Sequence, residues 1–337
     1  MRALLATLIL ALLTGSAFAV ELVPPPHQAR TSVDGVIRVW GSAEMKPLLE
    51  RWEKGFRRQH PRVRIESHLT GSDIAMAGLY TGNADIALLG REATAPEVKA
   101  FEWIYRYRPT PVDIATGSLD RPGRSPALVA YVHRDNPLAR ISLRQLDAIF
   151  SRERLRGAPA AIATWGDLGL EGEWSRRPIN LYTFDTETGT GRFFRSVALK
   201  DSRLLDWERI TEFTDTRSLR DPSHDAGNRI LEALSRDRYG LAVASGPATA
   251  ATKALALAGE SGEYHAPTRE NLVTRRYPLA RAVYAYVDRK PDTALDAPVA
   301  EFLRYVLGVE GQGHVAASGS YLGLEARRAR EQARKLR

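Results

Sequence analysis

The N-terminal part of the chain repeats one unit, a short apolar strand followed by a tight turn and a helix. The first unit is a strand at residues 35–40 and a helix whose apolar face carries Met45, Leu48, Leu49, Trp52 and Phe56. The second unit is a strand at 62–66 and a helix at 74–80, after which residues 83–89 form a buried strand. Strands that alternate with helices pair into mainly parallel sheets with helices on their faces. The sequence therefore predicts an α/β fold.

The same pattern resumes after a proline-rich segment at residues 109–132, which we interpret as a crossover into a second lobe. Strands and helices of that lobe are predicted at 143–150, 179–184, from 192, at 228–235 and at 239–244. Residues 277–287 lead back, and a helix at 299–307 completes the first lobe. The predicted organisation is a first lobe at 35–115 plus 280–325, a second lobe at 116–279 including both crossovers, and a basic C-terminal tail at 326–337. Two crossovers form a hinge, so the ligand is expected in the cleft between the lobes.

The first 19 residues have the pattern of a cleavable signal peptide. A charged start, Met1-Arg2, precedes an apolar run at 3–13 and an Ala-x-Ala cleavage site at 17–19. Residues 20–34, with three consecutive prolines, are expected to be an extended lead-in. The sequence has no cysteine, which excludes disulfides and the lipid-bearing cysteine of a lipoprotein. No later apolar stretch has spanning length, so we predict a periplasmic protein without membrane insertion.

The formal net charge of +8 favours an anionic partner. Much of the excess lies in surface-type helices and in the C-terminal tail, where we expect a solvated basic face. Recognition of nucleic acid would need a basic stripe with interleaved aromatic residues or a recognisable module, and the sequence has neither. We therefore predict no nucleic acid partner.

Three turns join a strand to a helix and carry small or hydroxyl residues: Gly41-Ser42-Ala43, Gly71-Ser72-Asp73 and Thr188-Gly189-Thr190. The first amides of a helix have no internal partner, and they point outward with the positive end of the helix dipole. Three such turns facing one cleft would surround an oxyanion. Helix capping alone also explains a serine or threonine at each position.

With these motifs in this order, the chain resembles the phosphate-type periplasmic solute-binding proteins of ABC transporters, which have the type II periplasmic binding protein fold. The matching stretches extend over residues 35–325: Gly41-Ser42-Ala43-Glu44-Met45, Thr70-Gly71-Ser72-Asp73, the segment 82–87 with Arg91-Glu92, the segments 148–151 and 164–168, Thr188-Gly189-Thr190 with Phe193-Phe194, the segment 239–242, and Tyr277-Pro278-Leu279-Ala280-Arg281.

The resemblance implies two lobes that close on inorganic phosphate or a similar oxyanion, and an ABC transporter permease that recognises the closed form. It implies a binding protein rather than an enzyme, acting as a monomer without cofactor or metal. The ligand-binding residues that it implies are Ser42, Ala43, Glu44, Gly71, Ser72, Asp73, Arg91, Thr188, Gly189 and Thr190.

Several contact positions depart from the pattern of the family, namely Ala43, Glu44, Asp73, Gly90, Phe184 and Thr186. A carboxylate at Glu44 or Asp73 can accept the proton of hydrogen phosphate and so exclude sulfate, which has no such proton. Two carboxylates beside a dianion also require a compensating cation. Arg91 and Arg192 are the candidates, and each can instead pair with a neighbouring glutamate, Glu92 or Glu187.

Two alternatives remain open. The altered positions also fit a different oxyanion or a small organic acid, bound by an envelope accessory protein that serves no transporter. An exported hydrolase is the other alternative, but the seven histidines show no metal-ligand spacing and no Gly-x-Ser-x-Gly motif is present.

Overall fold

We describe the fold from a computed structural model, which covers residues 32–119, 126–214 and 225–337. The predicted signal peptide and most of the lead-in lie outside these residues. Within the part that the structure describes, no helix is both long and apolar enough to cross a membrane.

The first lobe is built on a six-stranded sheet. Its N-terminal elements are β1 (Gly35–Gly41), α1 (Lys46–Phe56), β2 (Val63–His68), α2 (Ser72–Tyr80), β3 (Ile86–Leu89), α3 (Ala95–Tyr105) and β4 (Thr110–Gly117). Its C-terminal elements are β13 (Ala282–Val287), α8 (Ala297–Leu307), α9 (Val309–Ser318), β14 (Tyr321–Leu322) and α10 (Ala326–Arg334). The strand order is β14-β4-β13-β3-β1-β2, with β1 parallel to β2 and β3 and with β13 antiparallel to its neighbours.

The second lobe lies between β4 and β13 in the sequence. Its elements are β5 (Val129–His133), β6 (Arg140–Ser142), α4 (Leu143–Phe150), β7 (Asn180–Phe184), α5 (Gly189–Leu199), β8 (Ile210–Phe213), α6 (Ala226–Ser235), β9 (Gly240–Ala244), β10 (Thr252–Ala254), β11 (Ala256–Ala258), β12 (Tyr264–His265) and α7 (Arg269–Val273). One sheet has the order β10-β5-β9-β7-β8, and a smaller one has the order β12-β11-β6.

Each lobe has its own apolar core. In the first lobe Trp52 and Phe56 of α1 pack with Phe302 and Tyr305 of α8, and all four are essentially inaccessible to solvent. This confirms the apolar helix face read from the sequence. In the second lobe the core includes Phe150 of α4 and Phe194 of α5, whose rings meet edge to face. The second-lobe core also includes Leu322 of β14, so the two lobes pack together at that point.

The predicted crossover at residues 109–132 was wrong in its first part, because residues 110–117 form β4 inside the first sheet. The prolines suggested a connecting segment, but Pro111 lies at the start of the strand, where a proline is tolerated. The following residues, from Val112 to Gly117, are all buried between β13 and β14. The chain therefore leaves the first lobe only after Gly117.

The C-terminal segment is not the solvated tail that its charge suggested. Residues Ala326–Arg334 form α10. Its inner face carries Ala326, Ala329 and Gln332, which are buried against the first lobe. Leu336, which follows the helix, is buried in the same core. The prediction of a solvated tail was wrong because the many charged residues of this segment surround a narrow apolar face with helical spacing. This segment is part of the first lobe.

Candidate functional site

The first two predicted turns lie side by side at the carboxyl edge of the first sheet. The amide of Gly71 donates to the carbonyl oxygen of Gly41 at 3.1 Å, and the amide of Ser42 donates to that of Leu88 at 3.2 Å. A side chain at residue 41 would place its Cβ 2.6 Å from the carbonyl oxygen of Leu88, so this close approach requires glycine. Ligands of parallel sheets bind at this edge.

The hydroxyl of Ser42 does not cap a helix, although capping alone would explain a serine at this position. Residues Ala43–Met45 form one turn of 3₁₀ helix before α1 begins, and Ser42 makes no capping hydrogen bond with its side chain. Ser72 is the first residue of α2, two residues earlier than predicted, and Gly71 precedes it. Neither serine hydroxyl is used for capping, so both can serve a ligand.

The third turn uses its threonine as a true helix cap. The hydroxyl of Thr188 accepts a hydrogen bond from the amide of Gly191 at 3.0 Å and donates to the carbonyl oxygen of Asp185 at 2.6 Å. Helix α5 therefore begins at Gly189 rather than at Arg192 as predicted. The Thr188 side chain is occupied, which leaves the amides of Gly189 and Thr190, at the positive end of α5, as the donors that this turn offers.

Replacing Thr188 by alanine is expected to lower the free energy of unfolding by about 1 kcal/mol, because the cap of α5 is lost. Urea denaturation measures the change. Thr188→Ser keeps the hydroxyl and serves as the control, which should stay close to the original protein. A Thr188→Ala variant as stable as the original would contradict the capping role.

Arg91 lies where the sequence placed it, but its charge is already neutralised. Its side chain is 10% exposed and forms two hydrogen bonds to the carboxylate of Glu97, at 2.8 and 2.7 Å, and one to Asp73 at 3.1 Å. It also donates to the carbonyl oxygen of Ser72 at 3.5 Å. The glutamate expected as an alternative partner was Glu92, of which Arg91 contacts only the backbone carbonyl. Arg91 therefore joins the second turn to α3.

Glu97 was missed by the sequence analysis, together with the helix α3 that carries it. Burial alone would raise the pKa of Glu97, but hydrogen bonds from Arg91 and Thr94 outweigh it and hold the pKa below its usual value. A signal was present, because Thr94 and Glu97 form a capping box. The helix was overlooked because Phe101 is its only buried residue.

The other charged candidates are less enclosed. Arg192 is 43% exposed and lies 3.7 Å from Glu187, so it has the surface pair that the sequence analysis considered. Asp73 is 94% exposed and faces Arg91. Glu44 is half-buried, and its charge acts on Arg281.

Arg281 is the second residue that the sequence analysis did not assign to the site. It precedes β13 and is 3% exposed. Its Nη2 donates to the carbonyl oxygen of Gly189 at 3.1 Å, and its Nη1 donates to the hydroxyl of Thr190 at 3.2 Å. Burial lowers the pKa of its guanidinium, which nevertheless stays protonated. A signal existed here too, since Arg281 ends a motif that carries the family resemblance.

The three turns converge through these two arginines. A Cβ on Gly189 would lie 3.2 Å from Cδ of Arg91 and 3.8 Å from Nη2 of Arg281. Arg91 contacts Ser72 of the second turn, and the second turn is bonded to the first at Gly41. The structure therefore brings residues from both lobes to one place beside the first turn of α5.

A cavity of about 930 Å³ opens beside this place, between α3 of the first lobe and α5 of the second. Basic side chains line both walls: Arg91, Lys99 and Arg108 on one, and Arg192, Arg195 and Arg203 on the other. The acidic residues Glu92 and Asp201 also line the cavity, and Glu97 balances Arg91. The remaining basic residues outnumber the acidic ones, which favours entry of an anion.

Comparison with known proteins identifies the family of this chain. The PBP superfamily domain matches residues 26–310. The phosphate-binding protein PstS of Pseudomonas aeruginosa is 32% identical over 318 residues, which cover 93% of this chain and 91% of that protein. The chain belongs to the PBP superfamily. Protein SphX of Synechococcus elongatus is a more distant relative, with 24% identity over 293 residues that cover 85% of this chain and 77% of SphX.

Two solved structures have the same fold. PstS from Borrelia burgdorferi superimposes with a TM-score of 0.57 at 15% identity, covering 87% of this chain and 100% of that one. An ABC-type phosphate transport receptor from Vibrio cholerae gives a TM-score of 0.54 at 18% identity, covering 85% and 99%. The predicted family resemblance and the two-lobed α/β fold are confirmed.

Proposed function

We propose that this protein binds phosphate, or a closely related oxyanion, in the cleft between its lobes and delivers it to an ABC transporter. One observation carries the proposal, namely that three turns from two lobes meet beside the buried residues Arg91 and Arg281. The 32% identical relative from Pseudomonas aeruginosa is named a phosphate-binding protein, which supports phosphate as the ligand.

The proposed ligand-binding residues are those that the sequence suggested. The first turn contributes Ser42, Ala43 and Glu44, and the second contributes Gly71, Ser72 and Asp73. The third contributes Gly189 and Thr190 as amide donors, with Thr188 holding their helix. Arg91 orients the second turn rather than supplying free charge. These assignments are supported by the hydrogen bonds that connect the turns.

A carboxylate in the site would select an anion that carries a proton. Of the two candidates, Asp73 is 94% exposed and is bonded to Arg91. Glu44 is half-buried, and its negative charge acts through space to raise the pKa of Arg281. We therefore favour Glu44 as the acceptor for the proton of hydrogen phosphate.

We propose that the protein is located in the periplasm. The predicted signal peptide would export the chain there as a free protein rather than a lipoprotein. We propose that it acts there as a monomer whose closed form a membrane permease recognises. The lobes would close about the two crossovers, which we place after Gly117 and before Ala282.

Millimolar phosphate is expected to stabilise the protein, because a ligand at 100 times its dissociation constant adds about 2.7 kcal/mol to the free energy of unfolding. A thermal-shift panel of phosphate, arsenate, sulfate and small organic acids measures this effect. Phosphate and arsenate should raise the melting temperature while sulfate leaves it unchanged. A shift with another anion, without one from phosphate, would reject phosphate as the ligand.

A further inference from the structure

Arg281 differs from Arg91 and Arg192 because no carboxylate of the described residues forms an ion pair with it. Although it is 97% buried, its hydrogen-bond acceptors are the carbonyl oxygen of Gly189 and the hydroxyl of Thr190, both uncharged. The charges of Glu92 and Glu44 act on it only through space, and Glu92 is the acceptor for Tyr284 at 3.5 Å. A buried guanidinium that stays charged needs a compensating negative charge.

One polar atom of Arg281 also has no partner among residues 32–119, 126–214 and 225–337. This atom is Nε, which is buried and donates no hydrogen bond within those residues. Arginine groups that bind oxyanions commonly present two parallel N–H donors, and Nε with one of the terminal nitrogens forms such a pair. The guanidinium lies 5.2 Å from the ring centre of Phe193, a contact that holds its plane in position. The side chain is therefore ordered, with a donor left over.

Arg91 and Arg192 do not meet these conditions. Arg91 is bonded twice to Glu97 and once to Asp73, so the local charge around it is already balanced. Arg192 is 43% exposed and has Glu187 nearby. Among Arg91, Arg192 and Arg281, Arg281 combines deep burial with a charge that no ion pair within the described residues balances.

We propose that Arg281 is the cation that binds the oxyanion, through Nε and the first amides of α5. The inference rests on the proposed function for the class of ligand, an oxyanion whose oxygens accept two or more hydrogen bonds. Arg281 directly precedes β13 of the first lobe, and its carbonyl oxygen accepts from the amide of Gly117 in β4 at 2.8 Å. Because α5 belongs to the second lobe, the anion held between Arg281 and α5 also links the lobes. Closure of the cleft and binding of the ligand thus depend on one residue.

The test is the affinity of Arg281→Gln for phosphate, arsenate and sulfate, measured by isothermal titration calorimetry. Loss of the buried charge is expected to weaken binding about 100-fold. Arg281→Lys keeps the charge but loses the paired donors, and it should bind about tenfold more weakly than the original protein. Arg236→Gln is the control, with an affinity within about threefold of the original, because it removes only an exposed pair with Glu232 and does not line the cavity.

Circular dichroism and the melting temperature without ligand show whether each variant is folded. If Arg281→Gln does not fold, Arg281→Lys provides the test. A folded variant of either kind that keeps affinity within about threefold of the original overturns the proposal. If the original protein binds a different anion but not phosphate, and Arg281→Gln loses that anion, then the proposed ligand fails while the role of Arg281 stands.

Discussion

Replacing Glu97 by glutamine is expected to lower the free energy of unfolding by about 3 kcal/mol. The substitution removes the carboxylate that forms two hydrogen bonds to Arg91, and it leaves a largely buried guanidinium with Asp73 as its remaining acidic partner. It also weakens the capping box, in which the Glu97 carboxylate accepts from the amide of Thr94 at 2.7 Å. Because Asp73 stays in place, the loss should fall at the lower end for a broken buried ion pair.

Urea denaturation at neutral pH measures this loss. Glu102→Gln is the matched control, because Glu102 lies on the same helix and pairs with Arg108 and Lys99 at the surface. That variant should unfold at nearly the same urea concentration as the original protein. Equal stability of the Glu97 and Glu102 variants would show that the Arg91 pair contributes nothing beyond a surface contact.

The pKa of Glu97 makes the same pair sensitive to acid. Folding lowers this pKa below that of the unfolded chain, which is about 4.3. Below that pH the unfolded chain takes up a proton that the native protein does not, so the stabilisation by the pair is lost as the pH falls through the lower, native value. The Glu97→Gln variant should therefore lose less stability than the original protein as the pH is lowered from about 5 to 3. Parallel curves would contradict this assignment.

Ending the chain after Glu325 is expected to reduce the free energy of unfolding by more than about 4 kcal/mol. Helix α10 supplies Arg328, whose Nη2 and Nε lie 2.5 and 3.0 Å from the buried carboxylate of Asp113. Gln332 accepts from the amide of Asp113 at 3.0 Å, and Ala329 belongs to the first core. The truncated protein would contain a buried carboxylate without its partner and an exposed apolar surface.

The single variant Arg328→Met isolates the charge from the packing, since methionine fills much of the same space. It should lose about 3 kcal/mol, and adding Asp113→Asn should recover part of this loss because the unpaired charge disappears. Arg334→Ala, on the exposed face of the same helix, is the control and should leave stability nearly unchanged. A truncated protein with the melting temperature of the full chain would show that α10 is dispensable.

Periodicity predicted the elements of this fold well where apolar residues mark one face. Helix α4 begins and ends as predicted, and the turns at Ser42, Ser72 and Thr188 were found because glycine and hydroxyl residues interrupt that periodicity. Helix α3 escaped because only Phe101 is buried, and α10 escaped because arginines surround its narrow apolar face. Hydrophobic patterns reveal an element only in proportion to how much of it is buried.

The residues of the candidate site were harder to predict than its location. Glu97 lies six positions from Arg91, but spacing alone does not distinguish it from Glu92, which is adjacent. Arg281 meets Thr190 across 91 residues of sequence, where no periodic pattern carries information. The packing of the two lobes determines which acidic residue pairs with which arginine. These pairings can therefore be identified only from the three-dimensional structure.

The order of strands in the first sheet has a consequence for how the chain acquires its structure. β4 pairs with β13, and the whole second lobe is inserted between them in the sequence. That lobe is contiguous and can assemble as soon as it has been synthesised, whereas β4 must wait for strands near the C-terminus. Contacts between such distant residues slow folding, because a long loop must close before they form. Both edges of β4 therefore stay unpaired until β13 and β14 have been synthesised, and until then they can pair with other strands.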